Sequence, residues 1–448
     1  MRRSICRRNT ACERFHRDRL HFCLVNQAAT SREAVRTALA HRAGRVPIDF
    51  GSSSVTGIHI SVVAALREHY GLNGGPVRVL EPMQMLGEVT DDLRDAMGID
   101  CLGAPPAGTS FGFPLKGPWR EWRAPWGQVI LVPADFQTRT DETGDVFIYP
   151  AGDRTAPVSG HLPATGYFFD AVIRQPPIDE DNLNPADNLE EYQPLSAAAI
   201  AHWQEHAPAL RASGRAVMAN MGGTGLGDIA RVVAPGLRHP KGIRDVAEWY
   251  ISLATRRDYV HAIFSKQVDL ALENLVRFHA ILGDAIDVLY VCGTDFGTQA
   301  SQFCSAATFD ELYLPYYQRI NAWVHAHTGW KTFKHSCGAI DPLLPNFIRA
   351  GFDIMNPVQC SAAGMDPGHL KQTYGREVVF WGGGVDTQHT LPFGSPEEVY
   401  EQVLARCQIF SRGGGFVFNT VHNIQARTPT ANVLALLQAV RDFNRAGG

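Results

Sequence analysis

Hydrophobic and polar positions fall into two rhythms along this chain. After residue 195, short β-branched and aromatic runs alternate with longer stretches whose apolar residues recur at helical spacing. A helix near 195–212 precedes a strand at 216–221, two helical stretches near 243–282 precede a strand at 286–292, and a helix near 309–327 precedes a strand at 332–336. Strands at 353–357, 378–381 and 416–420 are each followed by a helical stretch. Nearer the start, Ser31 is placed to cap a helix reaching Ala40, and residues 45–50 form a short buried strand closed by Gly51. A helix over 58–70 stops at Gly71 and the turn Asn73-Gly74-Gly75, and residues 100–102 form a second strand. Counted from Val46, this makes eight strands of parallel type, which predicts an α/β fold, a (β/α)8 TIM barrel, in preference to an open doubly wound sheet. No G-x-G-x-x-G follows the first strand, which weakens a dinucleotide-binding reading further.

The second rhythm occupies 105–177, where short alternating runs are separated by turn residues. Runs at 127–132, 145–149 and 166–170 predict an antiparallel β-rich insertion, with Trp119, Trp122 and Trp126 beside them. Residues 176–194, rich in Pro, Asp and Asn, return the chain to the main fold as a loop. The expected organisation is one barrel domain over 31–448 preceded by a tail, 1–30, that is disordered or wrongly assigned.

Composition narrows the function. A chain of 448 residues, 45% hydrophobic, buries a large core, and a net charge of −4 argues against a nucleic-acid surface. The one basic cluster, from Arg2 to Arg19, has no apolar run after it of signal-peptide length. No stretch reaches the roughly 18–20 apolar residues of a membrane span. Nine scattered cysteines, an odd number, form no disulfide framework and fit a reducing, cytoplasmic setting.

The chemistry gathers at strand ends. His335 and Cys337 lie two apart at the end of a β-branched and aromatic run, so period-two geometry turns both to one face. Imidazole and thiolate together suit zinc; a buried Cys beside a core His is the plain alternative. Asp295, the pair Gln359-Cys360, Asp386 and His422 fall at or just past the ends of neighbouring strands, where a barrel carries its catalytic groups. Each has an ordinary reading as well: a helix cap for Asp295, a hydrogen bond in the barrel mouth for His422, an inert thiol for Cys360, a loop role for Asp386 and Gln388. The glycine runs 382–384 and 413–415 lack the Lys-Ser/Thr of a phosphate loop and suit tight turns.

The stretch His335-Ser336-Cys337-Gly338, with Gly351 to Gln359, Phe380 to Asp386 and Gly413 to Asn423, resembles the C-terminal half of the uroporphyrinogen decarboxylase superfamily, which includes zinc-containing, corrinoid-dependent methyltransferases. The resemblance runs from about Ser31 to the C-terminus and is weak between 105 and 195. It implies a Zn2+ ion on His335, Cys337 and His422, with Asp295 as a fourth ligand. His422 stands where those methyltransferases carry a second Cys, and Cys360 is a rival third ligand. It also implies catalytic positions at Asp295, Gln359 and Asp386, the last in substrate contact or behind the ligands. The implied function is zinc-dependent transfer of a methyl group between a methylated small molecule, such as a methoxylated aromatic, and a separate corrinoid (cobalamin) protein, in either direction. Trp126, Tyr167 and Phe168 are then candidates for the substrate end of the cavity. No nucleic acid or membrane is expected as a partner, and a homodimer is compatible. A true uroporphyrinogen decarboxylase is the second reading; that family reads an octa-carboxylate with arginines after the first strand, and residues 50–59 hold none. A non-catalytic barrel that binds a small molecule or a corrinoid is the third.

Overall fold

The computed structural model describes residues 30–72 and 74–447, so all of the expected tail but Thr30 lies outside the described residues. Seven strands form one parallel sheet: β1 (Cys101–Gly103), β2 (Ala216–Ala219), β3 (Val288–Cys292), β4 (Lys331–His335), β5 (Ile354–Asn356), β6 (Val379–Trp381) and β7 (Phe416–Val417), hydrogen-bonded in that order. The sheet closes through residues 47–49. Phe418 N donates to Pro47 O (2.8 Å), Asp49 N to Phe418 O (2.9 Å) and Asp100 N to Ile48 O (2.7 Å), so the eighth strand is a single parallel bridge, Ile48 to Phe418. The predicted barrel is therefore present, with its first strand shorter than its hydrophobic run.

Side chains alternate across this sheet as period two requires. Cys101, Ala216, Met218, Val288, Tyr290, Phe333, Ile354, Val379, Trp381 and Val417 pack as one cluster inside the barrel, while Val217, Leu289, Val291, Met355, Phe380 and Phe416 face outward to the helices. Helix Ser31–Leu39 adds Val35, Ala38 and Leu39 to the inner cluster and so plugs the barrel's N-terminal end. Its cap is Thr30 rather than Ser31, because Thr30 completes a capping box with Glu33. The plug is tied down by Asp287, which accepts from Arg32 Nε (2.9 Å), Arg36 Nε (2.7 Å) and Val217 N (2.9 Å).

After β1 the chain enters the insertion. Trp119–Arg123 pairs with Val129–Pro133, and Thr138–Thr140, Val146–Ile148, Gly160–Leu162 and Asp170–Ala171 make a four-stranded antiparallel sheet. The strand expected at 166–170 is irregular up to Asp170, where the short strand Asp170–Ala171 begins, and Gly160–Leu162 takes its place. Flanking Gly and Pro concealed that strand, yet the glycine suits it: a Cβ on Gly160 would lie 2.8 Å from Ile148 and from Phe111. A short hairpin, Val79–Glu81 with Leu86–Gly87, was not anticipated. Among the described residues no helix is long and apolar enough to cross a membrane.

Replacing Asp287 by Ala strands two guanidinium groups and a buried N–H, and should cost about 3–5 kcal/mol of unfolding free energy. Arg36, 55% exposed at its side chain, should cost under about 1 kcal/mol on replacement by Ala. Urea denaturation of both variants checks this ordering.

Candidate metal centre

In β4 the alternation sends Phe333 and His335 into the barrel and Thr332 and Lys334 outward. Lys334 is fully buried; its Nζ donates to Thr294 O (2.5 Å) and His335 O (2.6 Å) and lies 4.8 Å from the Phe296 ring centroid. It thereby staples the chain after β3 to the end of β4. Beyond His335 the chain leaves the sheet, and its next N–H groups are taken by neighbouring strand ends. Ser336 N donates to Asn356 O (2.7 Å), Cys337 N to Asp295 Oδ1 (2.7 Å) and Gly338 N to Gln359 Oε1 (2.8 Å). Gly338 has φ +89°, and a Cβ there would fall 2.4 Å from the carbonyl carbon of Gly297, so only glycine lets these two loops touch.

Three donors meet in this setting. His335, Cys337 and His422 each offer one ligand atom, and these atoms lie within 4.8 Å of one another. The His335 Nε2 to Cys337 Sγ distance is 3.5 Å, and the two imidazole centroids are 5.4 Å apart. Asn356 fixes the tautomer of His335. Its Nδ2 donates to Trp381 O (2.7 Å), which turns Oδ1 toward His335 Nδ1 (2.6 Å); Nδ1 therefore carries the proton and Nε2 presents its lone pair to the centre. Burial, reinforced by His335, brings His422 down to about 4, and burial also lowers His335 against the pull of Asp295. Both rings are neutral at physiological pH, so the 3.8 Å approach of His335 Nε2 to Asp295 Oδ1 is not an ion pair. Burial, with Asp295 beside it, pushes the Cys337 thiol well above its usual range.

The other expected residues divide. Asp295 sits at the edge of the trio and holds the Cys337 N–H. Gln359 is 5% exposed and its Oε1 accepts from Gly338 N, which gives it a part in the scaffold. Cys360 does not enter the trio; its Sγ lies against Val358 O (3.5 Å), with its pKa raised by burial to about 11. Asp386 accepts from the N–H groups of Gln388 and His389 (2.7 Å each), the loop role open to it from sequence. Trp126 and Tyr167 stack on each other at 5.5 Å and flank His59, whose Nε2 lies 2.9 Å from Tyr167 O, while Phe168 is 42% exposed. Trp126 and Tyr167 thereby fasten the insertion to His59 of the barrel.

Two cavities open beside the centre. One of about 840 Å³ is lined by Ser52, Ser53, Ser54, Met218, Arg231 and Tyr290. The second, about 710 Å³, shares Arg231 and Tyr290 and adds Asp228 and Gly293. The three donors line neither; Asp228 is the link, close enough to Asp295 for its charge to act on it. Sequence reasoning missed Asn356, Lys334, Asp228 and Tyr290. Asn356 had a signal, a polar residue ending a buried strand; Asp228 lies in a glycine-rich loop with no periodicity to mark it.

The family model described as Uroporphyrinogen decarboxylase (URO-D) matches residues 234–443. No curated protein matches the sequence. Among solved structures, a methyltransferase from Methanosarcina mazei is similar in fold, with a TM-score of 0.50 and 13% identity, over 92% of this chain and 99% of that one. The match over 234–443 contains His335, Cys337 and His422 together, and across that part of the chain the likeness to the uroporphyrinogen decarboxylase family is established.

Proposed function

We propose that this protein is a zinc-dependent methyltransferase of the uroporphyrinogen decarboxylase superfamily, moving a methyl group between a methylated small molecule and a corrinoid protein. The observation that carries the reading is the convergence of two neutral imidazoles and a thiol, all shielded, from the end of β4 and the segment after β7. This donor set fits zinc: it is soft to borderline, and one imidazole is already oriented by a hydrogen bond on its far side. Bonds of roughly 2.0–2.3 Å place tetrahedral donors about 3.3–3.8 Å apart, so the widest pair closes by about 1 Å on binding. His335, Cys337 and His422 would hold the ion, with Asp295 the nearest carboxylate. Zinc held there supplies Lewis acidity toward a thiol or an ether oxygen.

The chain's own groups do the rest. Asn356 keeps the His335 lone pair aimed inward, and Asp295 and Gln359 fix the backbone around Cys337. Lys334 locks the ends of two strands so that the donors keep their spacing. The wall of the larger cavity speaks against an octa-carboxylate substrate. It is made of serines where arginines would be needed, and most of its cations are neutralised: Arg94 by Asp91 (2.7 Å), Arg215 by Asp95, Lys116 by Glu205 (2.5 Å) and, more loosely, Arg78 by Glu88 (3.8 Å), which leaves Arg231 as a single cation without an acidic partner among the described residues, too few for eight carboxylates.

Protein purified without chelator should contain about one zinc per chain by elemental analysis, and a metal-free protein would contradict the reading. Cys337→Ala and His335→Ala should empty the site while thermal unfolding stays within a few degrees of the parent. Loss of the fold would assign the ion a structural role instead. Asn356→Leu frees the His335 ring and should weaken zinc binding by about 10–100-fold in a chelator competition. Because the histidines are neutral and the Cys337 thiol is protonated at pH 7, binding should release about one proton per ion and tighten as pH rises, measurable by calorimetry in buffers of different ionisation heat.

A further inference from the structure

Gly293 follows the last residue of β3, and a side chain there would begin 2.6 Å from the Tyr290 hydroxyl and 2.9 Å from Asp228 Oδ2. Two polar oxygens thus face one space that stays open because the residue between them has no Cβ. Tyr290 is 7% exposed and lines both cavities, and its hydroxyl has no hydrogen-bond partner among the described residues. Its ring is fixed by stacking on Phe333 at 5.4 Å, two residues before His335, so its aim is set by the same strand that carries the metal centre. Asp228 spends Oδ1 on Ala230 N (3.0 Å), as cap of the short helix Ile229–Val232, and leaves Oδ2 facing the space.

The chemistry of the pair is selective. Burial holds the phenol protonated, so Tyr290 is a donor, while the free carboxylate oxygen of Asp228 is an acceptor. A group that both accepts and donates satisfies the two at once. A hydroxyl does this, whereas a methyl would leave both oxygens desolvated and unpaired. We infer that the space over Gly293 is a subsite for a substrate hydroxyl, which accepts from Tyr290 and donates to Asp228, so that the methyl donor is a hydroxyl-bearing methyl ether. This inference rests on the methyltransferase reading and adds the substrate class to it.

The test compares 2-, 3- and 4-methoxyphenol with methoxybenzene, titrated calorimetrically into the zinc-loaded full chain and its Tyr290→Phe and Asp228→Asn variants. Asn caps a helix as well as Asp does, so the second variant keeps the loop's structural bond. The parent should bind at least one methoxyphenol about ten-fold or more tighter than methoxybenzene, and both variants should lose that preference while their methoxybenzene affinity and zinc content stay unchanged. A parent without the preference, including one that binds none of the four, would overturn the inference, as would a preference that survives Tyr290→Phe. Zinc content separates the two levels: a loaded protein without the preference refutes the subsite alone, whereas a chain that takes up no zinc refutes the methyltransferase reading beneath it.

Discussion

Ser336, Cys337 and Gly338 leave β4 with three successive N–H groups that the strand can no longer satisfy, and their need for acceptors organises the mouth of the barrel. A buried amide without a partner costs about 1–3 kcal/mol. The acceptors come from both sides: the Asn356 carbonyl and the Gln359 side chain from the β5 side, and the Asp295 carboxylate from the β3 side. Satisfying these three groups fixes where the Cys337 thiol can point. The Asn356 side chain, anchored by Trp381 O, then sets the His335 tautomer, so backbone bookkeeping and donor orientation are solved by the same few residues.

Below this polar junction the barrel interior is apolar, and the transition is abrupt. The inner cluster runs from the plugging helix up to Trp381 and Tyr290. Above Trp381 the inward groups turn polar. Asp49, raised by burial to about 6, accepts from Ser52 Oγ (2.6 Å) and from Trp381 Nε1 (2.9 Å), and Asn419 Nδ2 donates to its carbonyl (2.7 Å). Stability is thus concentrated at the N-terminal end, where Asp287 ties down the plug, and chemistry at the C-terminal end. That separation is why removal of a metal ligand should spare the fold.

Much of this was legible in the sequence. Alternation of buried strands with helical stretches gave the barrel, because β3, β6 and β7 are apolar on both faces and bounded by glycines and turns. The H-x-C spacing gave two candidate donors directly, and the resemblance to the zinc methyltransferases gave His422, which lies five residues past the end of β7. What was hidden depends on contacts between distant segments. That Gln359 and Asp386 hold backbone N–H groups at 338, 388 and 389 is something no local pattern reveals. The insertion strands at Thr138–Thr140 and Gly160–Leu162 are too short for period two to register. The Tyr290 and Asp228 pair comes into view only when Gly293 is seen to leave room between them.

The central claim is that His335, Cys337 and His422 share one ion. X-ray absorption at the zinc edge of the loaded full chain tests it most directly. The account predicts one sulfur at about 2.3 Å and nitrogen or oxygen neighbours at about 2.0–2.1 Å with imidazole outer-shell scattering, the sulfur vanishing in Cys337→Ala. A shell of oxygens without sulfur, or a spectrum that Cys337→Ala leaves unchanged, would contradict it.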